Sequence, residues 1–353
     1  MRERFLNLQN ILMEGFFSPR RIYMLEKLVE TRERHKLVTT KELETIARVE
    51  AALLKGARDF FIKEGFIEVN APHITKATGA CENINTLFGL DYFGLQGYLS
   101  QTQQLYLEAM IPRLKKVWCI GPSFRAEPEA DNRHLTEFPL IEIEFEGNFE
   151  ELLRYIEGTI CGMIKEVLNE EKMLKEIGVN VERLKAVKAP FSRITYDEAV
   201  KKLSDTCIKW GDDLKSSHEK MLVDMTGGQP LFITHFPKKI KFFNMRENDY
   251  RPEIVNSTDL ILPGSGEAAG AAEREHRHEK LRERLENSKM MEQLRVRGGS
   301  VEDFEWYLDC VKEHGIKLHS GCGIGLNRVT QFVLGADDIR KCTVFPLNSE
   351  TIM

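Results

Sequence analysis

The sequence predicts an α+β protein, an antiparallel hairpin flanked by amphipathic helices, and two stretches carry that expectation. The first is a pair of apolar runs, Val117-Trp118-Cys119-Ile120 and Leu140-Ile141-Glu142-Ile143-Glu144-Phe145, which read as strands on either side of a charged loop. A period-2 strand that buries Ile141 and Ile143 puts Glu142 and Glu144 together on the opposite face, where a merely solvated hairpin has no use for them. The second is residues 149–170, where Leu152, Leu153, Ile156, Ile160, Met163, Ile164 and Val167 share one side of a helix and supply core packing.

The other elements follow in order. Residues 1–45 read as helical, with Phe5, Leu8, Ile11 and Leu12 at helical spacing, a break at Ser18-Pro19 and a second run from Ile22 to Val29. The division expected is a helical extension, 1–45, before a single large domain, 46–353. Ala271 to Arg297 is dense in Glu, Arg and His and reads as a solvated helix. His276 and His278 lie two apart, cannot share a helix face and are not read as metal ligands.

Composition narrows the class. With 42% hydrophobic and 30% charged residues the chain is that of an ordinary globular protein. No apolar run approaches the ~20 residues of a spanning helix, and Met1-Arg2-Glu3-Arg4 does not open a signal peptide. Its 7 cysteines are odd in number and form no CxxC pair, so a reducing cytoplasm is the expected setting. A net charge of -5 is not the footprint of a nucleic-acid binder.

The loop between the two strands carries the chemistry. Arg125, Arg133 and His134 offer donors to a polyphosphate, Glu127 can accept from an exocyclic amine, and Phe138 presents a flat face to a purine. That set suits ATP held by its phosphates and its base.

These residues, in Phe124-Arg125-Ala126-Glu127 and Arg133-His134-Leu135-Thr136-Glu137-Phe138, resemble the second signature of class II aminoacyl-tRNA synthetases, in the asparaginyl and aspartyl form. Val49 to Pro72 resembles the first signature, a long helix, a strand and a proline at the dimer interface. Gly321 to Arg328 resembles the third, a glycine-rich strand entering a helix whose arginine covers the ATP. Three ordered signatures at family spacing, within residues 49–347, are far more specific than any one. The resemblance implies the class II catalytic fold, an antiparallel sheet of about six or more strands flanked by helices, in a homodimer. No OB-fold anticodon domain of the family's kind is expected ahead of the first signature.

The resemblance also assigns roles. Arg125 would meet the α-phosphate and the attacking carboxylate, Arg133 and His134 the outer phosphates, and Phe138 and Arg328 the two faces of the adenine; Arg125 and Arg328 are the catalytic candidates. Asp259 and Glu267, on two strands joined by a glycine turn, would hold Mg²⁺. Glu82 would receive the substrate ammonium and Gln104 would touch the substrate. Glu108 and Arg274 would reach its side chain, and Leu107 stands where aspartate enzymes carry a lysine, so asparagine is expected before aspartate. Departures are Asn327 and Leu347 in place of the usual glutamate and arginine, and a segment Asp309 to Gly315 lacking the arginine expected near Val311.

The expected activity is ATP-dependent activation of asparagine, with weakly bound tRNA or another acceptor. The alternatives are an asparagine synthetase using aspartate and ammonia through a β-aspartyl-adenylate, and a non-catalytic regulatory paralogue.

Overall fold

A computed structural model describes residues 27–77 and 83–352. The helical reading of residues 1–26 and the glutamate at position 82 therefore lie outside the described residues. The strands are β1 (Ile67–Glu68), β2 (Ile74–Thr75), β3 (Gly89–Tyr92), β4 (Leu95–Leu99), β5 (Lys116–Phe124), β6 (Glu137–Glu146), β7 (Ser192–Thr195), β8 (Leu231–Thr234), β9 (Ser257–Leu262), β10 (Gly266–Glu273) and β11 (His319–Gly325). The helices are α1 (Lys41–Lys63), α2 (Gln104–Leu114), α3 (Phe149–Val167), α4 (Glu171–Glu176), α5 (Val181–Lys185), α6 (Tyr196–Lys202), α7 (Ser216–Asp224), α8 (His278–Glu286), α9 (Lys289–Val296), α10 (Glu305–Glu313) and α11 (Leu326–Leu334).

Eight strands form the main sheet in the order β1-β5-β6-β11-β10-β9-β8-β7, and β2-β4-β3 form a small one. The five inner pairings of the large sheet, from β5/β6 to β8/β9, are antiparallel, while β1/β5 and β7/β8 at the two edges are parallel. The hairpin expected from the sequence is thus present and longer than its apolar runs, since Phe124 already pairs with Glu137.

One face of the sheet carries α1 and α3. A Cβ on Gly56 would lie 2.5 Å from the Gly162 carbonyl oxygen, so the two helices meet backbone to backbone. Ile141 and Ile143 point into the core between these helices and the sheet. That leaves Glu142 and Glu144 on the other face, as their alternation requires.

Two sequence expectations need correction here. Residues 27–40 form only short 3-10 turns, and α1 starts at Lys41 with the Thr40 hydroxyl accepting from the Leu43 amide, so a domain boundary at 45/46 would cut a helix. The segment Ala271 to Arg297 is not one solvated helix. Its first residues complete β10, and α8 and α9 bury Leu281, Leu285, Met290, Met291 and Leu294 in a second core with Phe304, Tyr307 and Leu308. In α1, Leu53 and Phe61 belong to the chain's core, Leu54 and Phe60 pack against it, and Ile62 is 64% exposed.

Candidate active site

The face of the sheet opposite α1 and α3 holds one cleft, which brings together Arg125, Glu127, Arg133, His134, Phe138, Asp259, Glu267, Arg274, Gln104 and Arg328, residues up to 224 positions apart. Its outer end is built by three backbone turns locked to one another. Arg328, in the first turn of α11, donates to the carbonyls of Arg133 and Ser265, both at 2.8 Å. Burial and the charge of Arg133 push its pKa down to about 10, so it stays a cation at neutral pH. Arg125 lies with its guanidinium carbon 5.3 Å above the Phe138 ring, covering a face offered to a purine. His134 contacts the Asp131 carboxylate through Nδ1 at 2.8 Å.

The carboxylates come next. Asp259 pairs across the sheet with Gly270, and Glu267 with Ile261; a bulge between Glu267 and Ala269 shifts the register by one. That single extra residue places Glu267 on the same face as Asp259. A Cβ on Gly270 would meet the Glu267 carboxylate at 3.2 Å, which locates that carboxylate over the strand position opposite Asp259. Lys241 donates to both Asp259 oxygens at 2.8 and 2.7 Å. Glu219 on α7 adds a third carboxylate, 3.8 Å from Arg133. Burial and then the charge of Asp259 raise its pKa. Asp259 and Glu267 carry hard oxygens of the kind a divalent cation takes and are the residues that could hold one, with Lys241 an ammonium already on Asp259.

The inner end of the cleft is lined by Arg274, Glu142 and Gln104. Arg274 donates through Nη2 to Glu144 at 2.6 Å, and both side chains are buried. Glu144 fits because its cross-strand partner is Gly321. Glu142 accepts from the Gln103 amide at 2.8 Å and from the Thr102 hydroxyl. Burial raises its carboxyl to about 7.

Glu108 departs from its expected role. It is 0% exposed and does not line the cleft. One of its oxygens accepts from Gln104 Nε2 at 2.6 Å. The other meets the Tyr307 hydroxyl at 2.6 Å and His319 Nε2 at 2.9 Å. Gln104, which does line the cleft, lies hydrogen-bonded to Glu108. A carboxylate accepts and does not donate, so the Gln104 NH₂ must face Glu108, and its carbonyl oxygen remains as an acceptor at the cleft. Glu108, Glu144 and His319 offer ligand atoms within 4.8 Å of one another. Donors from Gln104, Tyr307 and Arg274 already fill those carboxylates, which makes the cluster a charge network and not a metal centre.

Sequence reasoning missed Lys241, Glu219, Tyr307 and His319. The pairing of Glu142 with Glu144 was visible as an alternation, but nothing local marks the other four. Among the departures, Asn327 is buried and donates to Glu50 and to the Cys342 carbonyl, both at 3.2 Å. Leu347 pairs with Glu137, its carbonyl accepting from the Thr136 amide at 2.9 Å.

Comparison with known proteins identifies the family. The family model for class II tRNA synthetases (D, K and N) matches residues 26–349. An asparagine-tRNA ligase of Pelotomaculum thermopropionicum is 39% identical over 89% of this chain and 71% of its own length. One of Pyrococcus abyssi is 38% identical over 89% of the chain and 70% of its own length. Among solved structures, asparaginyl-tRNA synthetase of Pyrococcus horikoshii complexed with asparaginyl-adenylate superposes with a TM-score of 0.84 at 35% identity, covering 95% of this chain and 74% of that one. The chain belongs to the class II tRNA synthetases of the D, K and N group.

Proposed function

We propose that the chain activates asparagine with ATP. The α-carboxylate of asparagine attacks the α-phosphorus, a new carboxylate-phosphorus bond forms as the bond to the bridging oxygen breaks, and pyrophosphate leaves with that electron pair. Asparaginyl-adenylate then passes to tRNA or to another acceptor. The nucleophile arrives already ionised, so positioning and charge neutralisation carry the rate and no side chain acts as a base. In this reading Arg125 meets the α-phosphate and the attacking carboxylate, Arg133 and His134 the outer phosphates, and Glu127, Phe138 and Arg328 the adenine. Asp259 and Glu267 would hold Mg²⁺, which would neutralise phosphate charge. Glu82 would take the substrate ammonium.

The observation that carries the choice of asparagine is the acceptor-rich side-chain end of the cleft. Gln104 presents a carbonyl and Glu142 a carboxyl, while Arg274, which would reach the substrate side chain, has its charge balanced by Glu144. Leu107, where aspartate enzymes place a lysine, is buried in an apolar cluster with Ile111, Val117 and Cys119 and brings no cation to the cleft. An amide NH₂ finds acceptors here, whereas a second carboxylate would face them. Glu108, a clamp for ammonium in the aspartate-and-ammonia reading, is sealed behind Gln104.

The test is pyrophosphate exchange with each of the twenty amino acids, with and without Mg²⁺, and assays of aminoacyl-tRNA and of free asparagine from aspartate and ammonia. Exchange with asparagine that EDTA abolishes is expected. Ammonia-dependent asparagine would replace this reading with the synthetase one, and no exchange with any amino acid would leave only a non-catalytic paralogue. The -5 net charge disfavours tight tRNA binding, so charging is expected to be slow and insensitive to the anticodon.

The reading includes a homodimer through the α1 and β1 region, where Ile62 and Ile67 are exposed. Sedimentation at micromolar concentration is expected to show about twice the chain mass, and a fully active monomer would refute it. No described helix is long and apolar enough to cross a membrane. The six described cysteines are unpaired thiols, which accords with a reducing cytoplasm.

A further inference from the structure

We propose that His319 is a specificity-setting positioning residue: it supplies the counter-charge for Glu108, and thereby leaves Arg274 for the amino-acid substrate. The inference rests on the asparagine activation proposed above and names residues that recognise the substrate only through others.

The proton count on the imidazole fixes its charge. His319 Nδ1 lies 2.8 Å from the Lys317 carbonyl oxygen, which can only accept, so Nδ1 keeps a hydrogen. Nε2 lies 2.9 Å from Glu108 and needs a second proton in that contact. Both oxygens of Glu108 already accept, from Gln104 on one side and Tyr307 on the other, each at 2.6 Å. The second proton therefore belongs on the imidazole, and the pair is an imidazolium on a carboxylate. Burial alone would raise the Glu108 carboxyl, but the hydrogen bond and charge of His319 outweigh it and hold Glu108 ionised. Burial likewise opposes the charge on His319, and its contact with Glu108 prevails.

The groups facing this pair are few and come from every neighbouring element: Gln104 from α2, Tyr307 from α10, Glu144 from β6 and Arg274 just after β10. Glu108 and Glu144 face two cations, His319 and Arg274; burial raises the Glu144 carboxyl to about 7 against the pull of Arg274, so which carboxylate Arg274 serves matters. Arg274 Nε is 3.9 Å from Glu108, whereas Nη2 is 2.6 Å from Glu144. With His319 charged, Arg274 serves Glu144 through Nε and Nη2 and remains part of the cleft lining. Without that charge, the nearest cation for the fully buried Glu108 is Arg274 itself. Its guanidinium would be drawn off the position that meets the substrate side chain.

The experiment compares wild type with His319→Gln, Glu108→Gln and the double variant, reading KM for asparagine and kcat separately in pyrophosphate exchange, with melting curves for each. His319→Gln should raise KM for asparagine about tenfold, a magnitude typical of coupling within one buried network. Its kcat and its KM for ATP should change little. Glu108→Gln alone measures what is lost when no carboxylate orients Gln104, and adding His319→Gln to it should raise KM by no more than about twofold. A residue needed only for packing gives the opposite result, the same rise of about tenfold on top of Glu108→Gln, and that result overturns the inference. Should His319→Gln fail to fold, the comparison of Glu108→Gln with the double variant still decides, since Glu108 bears no charge in either. A wild type without any exchange defeats the proposed function itself. An active wild type whose double variant loses as much again as His319→Gln defeats the inference alone.

Discussion

Replacing Arg125 by alanine is expected to slow asparagine-dependent pyrophosphate exchange by about 10²- to 10³-fold, the usual effect of deleting one charge contact made in the transition state. Arg125 is the first residue after β5, where its amide donates to the Thr136 carbonyl at 2.8 Å and fixes the base of the loop. That bond is made by the backbone and survives the substitution. The loss should therefore fall on kcat, with an unchanged melting curve. Lysine would restore charge without the planar fork and should recover only part of the rate. An alanine variant within threefold of wild type would remove Arg125 from the reaction.

The second large effect is expected at Gly321. A Cβ there would lie 2.0 Å from the carboxyl carbon of Glu144, closer than any side chain can yield to without leaving its place. Glu144 is pinned by Arg274 at 2.6 Å, so Gly321→Ala must break or tilt that pair. Displacing a binding group by about 1 Å can reduce rate about 10²-fold, and overpacking of this kind typically destabilises by ~1–3 kcal/mol. Loss of asparagine activation together with a lower denaturation midpoint is the expected outcome. Gly323 is the control on the same strand, because a Cβ there would meet only Leu140 side-chain carbons at 3.3 Å, and a Leu tip can turn aside. Equal effects at the two glycines would show that the Glu144 contact is not what the third signature protects.

How much of this was legible follows from the range over which the chain must be read. The hairpin announces itself in two apolar runs, and the loop residues that the structure places in the cleft, Arg125, Glu127, Arg133, His134 and Phe138, lie within fourteen positions, so local pattern suffices to group them. The strand ends were hidden because Pro122 and Pro139 read as breakers. They face each other in the ladder, whose flanking pairs override their poor strand propensity. The solvated helix expected over Ala271 to Arg297 failed for a similar reason. Its dense charges mask the apolar positions, Leu281, Leu285 and Leu294, that the second core buries.

The inner site resisted longest. Glu108 meets Tyr307 and His319 at separations of 199 and 211 residues, and no periodicity relates them. A glutamate four residues after Gln104 on one helix gives no local sign that Tyr307 and His319 stand behind it. Lys241 and Glu219 are single charges in stretches without pattern, and only the sheet shows that they converge on Asp259 and Arg133.

The bonds from Arg328 to the carbonyls of Arg133 and Ser265 have a thermodynamic meaning beyond their geometry. They tie the hairpin loop and the β9-β10 turn to the helix before any nucleotide arrives. Ordering a loop loses conformational entropy, of order 1–2 kcal/mol per residue, whenever it happens. In this chain much of that loss accompanies folding, so a nucleotide entering the cleft meets a preorganised cradle and retains more of its interaction energy as affinity.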